Sequence, residues 1–281
     1  MASKLRSGIR GLVKRRLLAR TRGYPRVHVP LLKLALKAAE PSRRFPSMRL
    51  WYEDGWKVSS ESKTWEVPAP QRGYGIVLNG MQGAKDELSE RYFPEGDFVQ
   101  RCRGRTVVDV GAHIGVFTMA ALDAGAARVI AFEPDPAAYA CLQANVGDDP
   151  RTELYPMMLG QSDGYEDLFV ATASGDSSMI PPPEWHTKTS VEMRRVDSLD
   201  LGLSDGDVVK VEAEGAEPEV LIGASGTLAG KSLFLTVRAS YERQGNSTFA
   251  DCQRILEEYG YRCWAGDMLD PPKQLLADLK Q

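Results

Sequence analysis

Histidine and cysteine are scarce in this chain, with three of one (His28, His113, His186) and four of the other (Cys102, Cys141, Cys252, Cys263) in 281 residues. No two cysteines form a C-x-x-C pair, so no zinc constellation is visible and no metal is expected. The thiols read as reduced and buried. No stretch approaches 18 consecutive apolar residues, which argues against a membrane-spanning helix. The amino terminus also lacks the apolar core of a signal peptide. These absences together predict a cytoplasmic protein. Acid is missing from the start of the chain: the first 39 residues hold 11 of the 35 Lys and Arg and none of the 38 Asp and Glu. The remainder, with 24 basic and 38 acidic residues, carries a formal charge of −14. An acidic body is poorly suited to gripping a polyanion, so nucleic acid is a disfavoured partner.

One more absence is chemically specific. Residues 106–134, TVVDVGAHIGVFTMAALDAGAARVIAFEP, read as a buried strand, a glycine-bearing turn, a helix and a second strand closed by Glu133–Pro134. Such a unit binds an adenosyl group, because glycine lets the backbone approach and a strand-ending carboxylate accepts from ribose hydroxyls. A dinucleotide site would need glycines two and five residues after Gly111. His113 and Val116 stand there instead. Asp109, two residues before Gly111, offers a carboxylate to a cationic ligand. S-adenosylmethionine carries an amino group and a sulfonium and has no pyrophosphate, so it is the adenosyl cofactor this spacing fits. The predicted cofactor-binding residues are Asp109, Gly111, Ala112, His113, Gly115 and Glu133. Ser162 and Asp163, in the loop after the third strand, are candidates for the adenine.

The stretches VVDVGAHIGVFT and VIAFEPDP resemble the first two motifs of the FkbM-type methyltransferases. KVEAEGAEPEVLIGA (210–224) resembles that family's K-x-D-x-E-G-A-E-x-x-V-L-x-G-A motif, and Leu142–Gln143–Ala144–Asn145–Val146 its L-x-x-N-x stretch. The likeness covers roughly residues 88–265. It implies a class I, Rossmann-like α/β sheet with helices on both faces. It also implies O-methylation of a glycan, glycolipid or secondary metabolite, with N-methylation of a peptide or amide nitrogen as the alternative. An RNA-directed methyltransferase using the basic amino terminus is a third reading. Glu212 stands where the family usually has Asp.

The predicted catalytic residues are Glu212, Glu214 and His113. Alternation places Glu212 and Glu214 on one face at the end of the fourth strand, which in open α/β sheets faces the ligand crevice. Either can serve as base or as ligand of donor or acceptor. His113 fits a binding or turn-shaping role better than a base, and His186 is an alternative base. Lys210 reads as a structural residue at the strand end.

Domain boundaries are expected at 1–84, an extension, and 85–281, the methyltransferase domain. Residues 4–20 read as an amphipathic helix, with Leu5, Ile9, Leu12, Val13 and Leu17 on one face and basic residues on the other. It suits docking on its own domain, a second copy in a homodimer, or peripheral contact with an anionic membrane. A second helix is predicted over 31–39. Short strands are predicted at Arg49–Tyr52, Trp56–Ser59, Thr64–Val67 and Tyr74–Leu78, with Asp54–Gly55 as a hairpin turn. The third strand is expected over Leu154–Met158. An extra antiparallel pair is expected at Tyr165–Val170 and Val191–Arg195, the loop between them forming a substrate-facing lid. Pro271–Pro272 argue against a full-length seventh strand.

Overall fold

The computed structural model describes residues 49–60, 63–69, 74–171, 176–239, 241–269 and 272–279. The helices predicted over 4–20 and 31–39 lie outside the described residues. The chain divides into two compact units between Ala84 and Lys85.

In the first unit, β1 (Arg49–Tyr52), β2 (Trp56–Ser60) and β3 (Lys63–Val67) form an antiparallel meander in that order. Asp54 (φ 51°) and Gly55 (φ 149°) make the first turn, as that pair of residue types permits. Val58, Trp65 and Val67 are buried. The predicted strand at 74–78 is corrected: these residues open a helix, α1 (Tyr74–Tyr92), broken at Gly80 (φ 75°, ψ 172°). A short apolar run does not distinguish strand from helix. In the structure the segment is helical up to that break, with Ile76 buried, and residues 81–92 are helical beyond it, with Met81, Ala84 and Tyr92 buried.

The second unit continues with α2 (Phe98–Cys102), β4 (Thr106–Val110), α3 (Val116–Asp123), β5 (Arg128–Phe132), α4 (Pro136–Val146) and β6 (Thr152–Tyr155). Next come β7 (Met158–Leu159), β8 (Gly164–Ala171), β9 (Trp185–Arg194), β10 (Val208–Val211), α5 (Glu217–Gly223) and α6 (Ser225–Ala229). It ends with β11 (Phe234–Arg238), α7 (Phe249–Glu258), β12 (Tyr261–Ala265) and β13 (Gln274–Leu279). Seven strands form one sheet in the order β12-β13-β11-β10-β4-β5-β6. Its pairs are parallel except those of β13, which runs antiparallel between β11 and β12.

The doubted seventh strand is therefore present. Pro272 precedes β13 and does not interrupt it. The Gly266 amide bonds to the Gln274 carbonyl at 2.8 Å as the two strands diverge from their connection. The third strand also needs correction. β6 stops at Tyr155, and Met158 pairs with Met193 in a separate three-stranded sheet, β7-β9-β8. Pro156, lacking an amide hydrogen, stands at the switch. The expected antiparallel pair is β8 with β9.

Strand alternation sorts the core into two layers. Val108, Val110, Ile130 and Phe132 point to the α5–α7 side, where they meet Val220, Leu221, Ile255 and Leu256. Val107, Val129 and Val208 point the other way, onto Tyr92, Phe93, Phe98 and Phe117. Phe93 stacks on Phe234 with ring centroids 5.6 Å apart. Asp109, Lys210 and Glu212 share the parity of that second, aromatic face. Among the described residues no helix is long and apolar enough to cross a membrane.

Candidate active site

The turn after β4 is shaped by contacts that leave no room for side chains. Gly111 (φ 75°) carries a position where a Cβ would lie 1.9 Å from the Glu212 carbonyl oxygen. Gly115 (φ 89°) would place one 2.8 Å from Leu142 Cδ1. Asn145 Nδ2 donates to the Ile114 carbonyl at 3.0 Å. Leu142 and Asn145 of the L-x-x-N stretch are thus the floor and clasp of the glycine turn. The amides of Gly111 and Ala112 both donate to the Phe132 carbonyl at 3.0 Å. His113 takes a left-handed φ of 52°, and its amide donates to Glu133 Oε2 at 2.7 Å. Asp135 N–H holds the other oxygen at 2.8 Å. The capping acid of α4 is Asp135, which accepts from Ala137 N–H at 2.9 Å. Glu133 is therefore not the cap. It is a carboxylate fixed at the end of β5.

Beneath the turn lies a buried ion pair. Lys210 Nζ sits 3.0 Å from Asp109 Oδ1 and donates to the carbonyls of Val110 (3.0 Å) and Gly111 (2.8 Å). Thr118 Oγ1 donates to the other Asp109 oxygen at 2.7 Å. Asp109 is 0% exposed and Lys210 2%. Asp109, expected to orient the donor's amino-acid end directly or through water, has no exposed surface and both oxygens bonded, and it holds the turn in place. Lys210 is structural, as expected, but at the centre of the site.

The loop after β10 and the first residue of α5 carry three carboxylates in three environments. Glu212 accepts from the Tyr92 hydroxyl and lies 3.7 Å from Arg91 and 3.8 Å from Lys210. Burial works against its charge, yet the cations of Lys210 and Arg91 outweigh burial and hold its pKa below the ordinary value. The Tyr92 phenol is pushed up by burial and by the Glu212 charge, so it stays a donor. Glu214, in a left-handed φ of 51°, is half-buried. Burial and the charges of Glu212, Asp176, Glu242 and Glu217 push its pKa well up. Glu217 is fully buried: Oε1 accepts from the amides of Ala213 and Gly215 (both 3.0 Å), and Oε2 from Thr248 Oγ1 (2.8 Å). Burial raises its pKa to about 7 despite those bonds. Arg243 Nε donates to the Gly215 carbonyl at 2.9 Å and clamps the same turn.

The described part of the expected lid touches this loop. Ser178 Oγ donates to the Ala213 carbonyl at 3.1 Å, and Ser177 Oγ to Asp135 Oδ2 at 2.9 Å. The segment thus bridges the ends of β5 and β10. Ser162 and Asp163 do not join the site by their side chains as expected. They lie in the β7–β8 turn, where Asp163 accepts from Ser198 Oγ (2.6 Å) and Arg195 N–H (2.8 Å). The chain has left the main sheet after Tyr155, and this turn joins two strands of the separate β7-β9-β8 sheet. His186 lies exposed in β9, not in a loop.

Arg91 and Tyr92 were not legible as site residues. They precede Asp109 by more than a full helix, and Tyr92 is separated from Glu212 by 120 positions. Glu217 left a signal in the second acid of E-G-A-E, whose role is hidden because burial cannot be read from type.

A seven-stranded sheet with one antiparallel insertion, a glycine turn after the first parallel strand and an acid closing the second define a class I methyltransferase fold. The family model of the methyltransferase FkbM domain matches residues 109–263, and the chain belongs to that family. The chain is 28% identical over 134 residues to the 2-O-methyltransferase NoeI of Sinorhizobium fredii, covering 41% of this chain and 55% of that relative. It thus spans little more than half the relative's length. Among solved structures, the methyltransferase FkbM of Methylobacillus flagellatus covers 72% of this chain and 52% of its own, at 19% identity and a TM-score of 0.45. A TehB-like SAM-dependent methyltransferase of Corynebacterium glutamicum covers 71% and 100%, at 12% identity and a TM-score of 0.37.

Lys210→Met should strand the Asp109 charge in the core and cost about 3–5 kcal/mol in denaturant unfolding, part of which a second change, Asp109→Asn, should restore. A single variant as stable as wild type would contradict the ion pair's role. Glu217 makes a pH-dependent contribution. Its folded pKa of about 7 exceeds the ordinary 4.5, so its stabilising protonated form is fully present below pH 4.5 and lost as pH rises through 7. The loss amounts to roughly 3 kcal/mol at ~1.4 kcal/mol per unit. Glu217→Gln, which mimics the neutral acid, should flatten that decline in melts from pH 4.5 to 8.

Proposed function

We propose that the chain transfers the methyl group of S-adenosylmethionine to a hydroxyl, with Glu214 as the base. The residues present fit the donor. Gly111 lets the turn close against the Glu212 carbonyl, where a Cβ would lie at 1.9 Å, and Glu133 is held rigid by two backbone amides. A carboxylate oxygen accepts more than one hydrogen bond, so the same group can also take the ribose hydroxyls. His113 and Val116 in place of glycines disfavour a pyrophosphate. When bound, the donor supplies an already activated methyl group, so the chain's work is alignment and proton removal.

The observation that carries the assignment of the base is the divergence of two neighbouring acids. Glu212 is held ionised by cations and is a poor base. Glu214 is made a stronger one by burial and by surrounding carboxylates. Oxygen as the accepting atom draws support from the relative described as a 2-O-methyltransferase. A glycan, glycolipid or hydroxylated metabolite is the acceptor class we infer. The negative surroundings of Glu214 favour neutral acceptors over anionic ones.

Two outcomes check this reading. Glu133→Ala should weaken S-adenosylhomocysteine binding by roughly 1–3 kcal/mol in calorimetry, the range for a hydrogen bond to a charged group. Unchanged affinity would remove Glu133 from the ribose. With labelled donor and a panel of glycans, glycolipids and peptides, Glu214→Gln should depress kcat far more than donor affinity. It should also abolish the rise of rate with pH above the ordinary carboxylate range. Label found on amide nitrogen by mass spectrometry would overturn the hydroxyl assignment.

A further inference from the structure

The donor's amino-acid tail is a zwitterion, with an ammonium and a carboxylate on one carbon. The turn acid that would meet the ammonium, Asp109, is 0% exposed and bonded to Lys210 and Thr118. The tail therefore needs other partners beside the glycine turn. The next acid on the same strand face is Glu212, whose own carbonyl closes over Gly111. One oxygen of its carboxylate is taken by the Tyr92 hydroxyl. The other faces Arg91 across 3.7 Å, longer than a hydrogen bond. The two side chains are 33% and 22% exposed, so a ligand can reach both. Arg91 Nη2 donates to Glu87 Oε1 at 3.0 Å, which leaves Nη1 toward Glu212, and this loose Nη1–Glu212 contact suits a zwitterion, which exchanges it for two stronger ones.

We propose that Arg91 and Glu212 form the subsite for the α-amino-acid tail of the donor, Glu212 accepting from the ammonium and Arg91 donating to the carboxylate. Tyr92 is the positioning residue. It is wholly buried, stands edge-on to Phe117 at 5.4 Å, and fixes which Glu212 oxygen turns outward. Arg91 and Tyr92 close α1, so in this proposal the segment before β4 supplies part of the subsite. The assignment rests on the donor reading above.

The test compares S-adenosylhomocysteine with 5′-methylthioadenosine, which lacks the amino-acid tail, by calorimetry on the full chain. Wild type should prefer the former at least tenfold. Arg91→Gln and Glu212→Gln should each weaken S-adenosylhomocysteine tenfold or more and leave methylthioadenosine unchanged. Tyr92→Phe keeps the ring and should move the preference the same way by a smaller factor. Glu133→Ala should weaken both nucleosides alike. Variants that lose both ligands equally, or neither, overturn the subsite while the donor reading stands. Wild type that binds neither nucleoside overturns both. If Glu212→Gln fails to fold by circular dichroism, the half-exposed Arg91 and the conservative Tyr92 change decide the question.

Discussion

A single ammonium, that of Lys210, joins the two central strands to the glycine turn. It neutralises Asp109 on β4 and takes the carbonyls of Val110 and Gly111, which end that strand. Two charges in a dry core cost several kcal/mol each to desolvate, and their attraction offsets this only when the remaining polar atoms are also bonded. Here they are, by Thr118 on one side and two carbonyls on the other. An apolar pair of similar volume would pack as well, but would leave those carbonyls without their donor. What the ion pair secures is geometry: Gly111 is held against the Glu212 carbonyl so closely that no other residue fits.

The same arrangement divides the labour of the acids that follow. Glu212 shares the strand face of Lys210 and inherits its positive neighbourhood. Glu214, two residues on and past the strand, has turned into a left-handed conformation among Asp176, Glu242 and Glu217. Identical side chains therefore titrate in opposite directions within one loop. The turn that separates them is held by Glu217 from inside and by Arg243 from outside. A carboxylate whose own charge is disfavoured thus holds the turn that carries Glu214.

Much of this was legible in the sequence because it is local. The strand–turn–helix–strand unit, the strand-ending Glu133 and the pairing of β8 with β9 follow from periodicity, glycine placement and resemblance to one family. What escaped has physical causes. Tyr74–Leu78 carries apolar residues suited to either helix or strand, and a run this short does not decide between them. β13 follows a proline that ends before the ladder begins. The chain changes sheets at Pro156, and Asp163 bonds within the β7-β9-β8 region to Ser198 and Arg195. Residue type does not reveal that Lys210, 101 positions away, lies against Asp109. Contacts of that sequence separation leave no periodic trace.

The longer arm at position 212 gains meaning in this setting. The resemblance implies Asp there, and this chain has Glu. An acid at that position necessarily sits beside Lys210, on the aromatic face of the sheet. The extra methylene carries the carboxylate out of the backbone's shadow to the Tyr92 hydroxyl and toward Arg91. A shorter side chain would have to give up part of that reach. In the proposed subsite the group that extends from β10 meets partners that the end of α1 supplies.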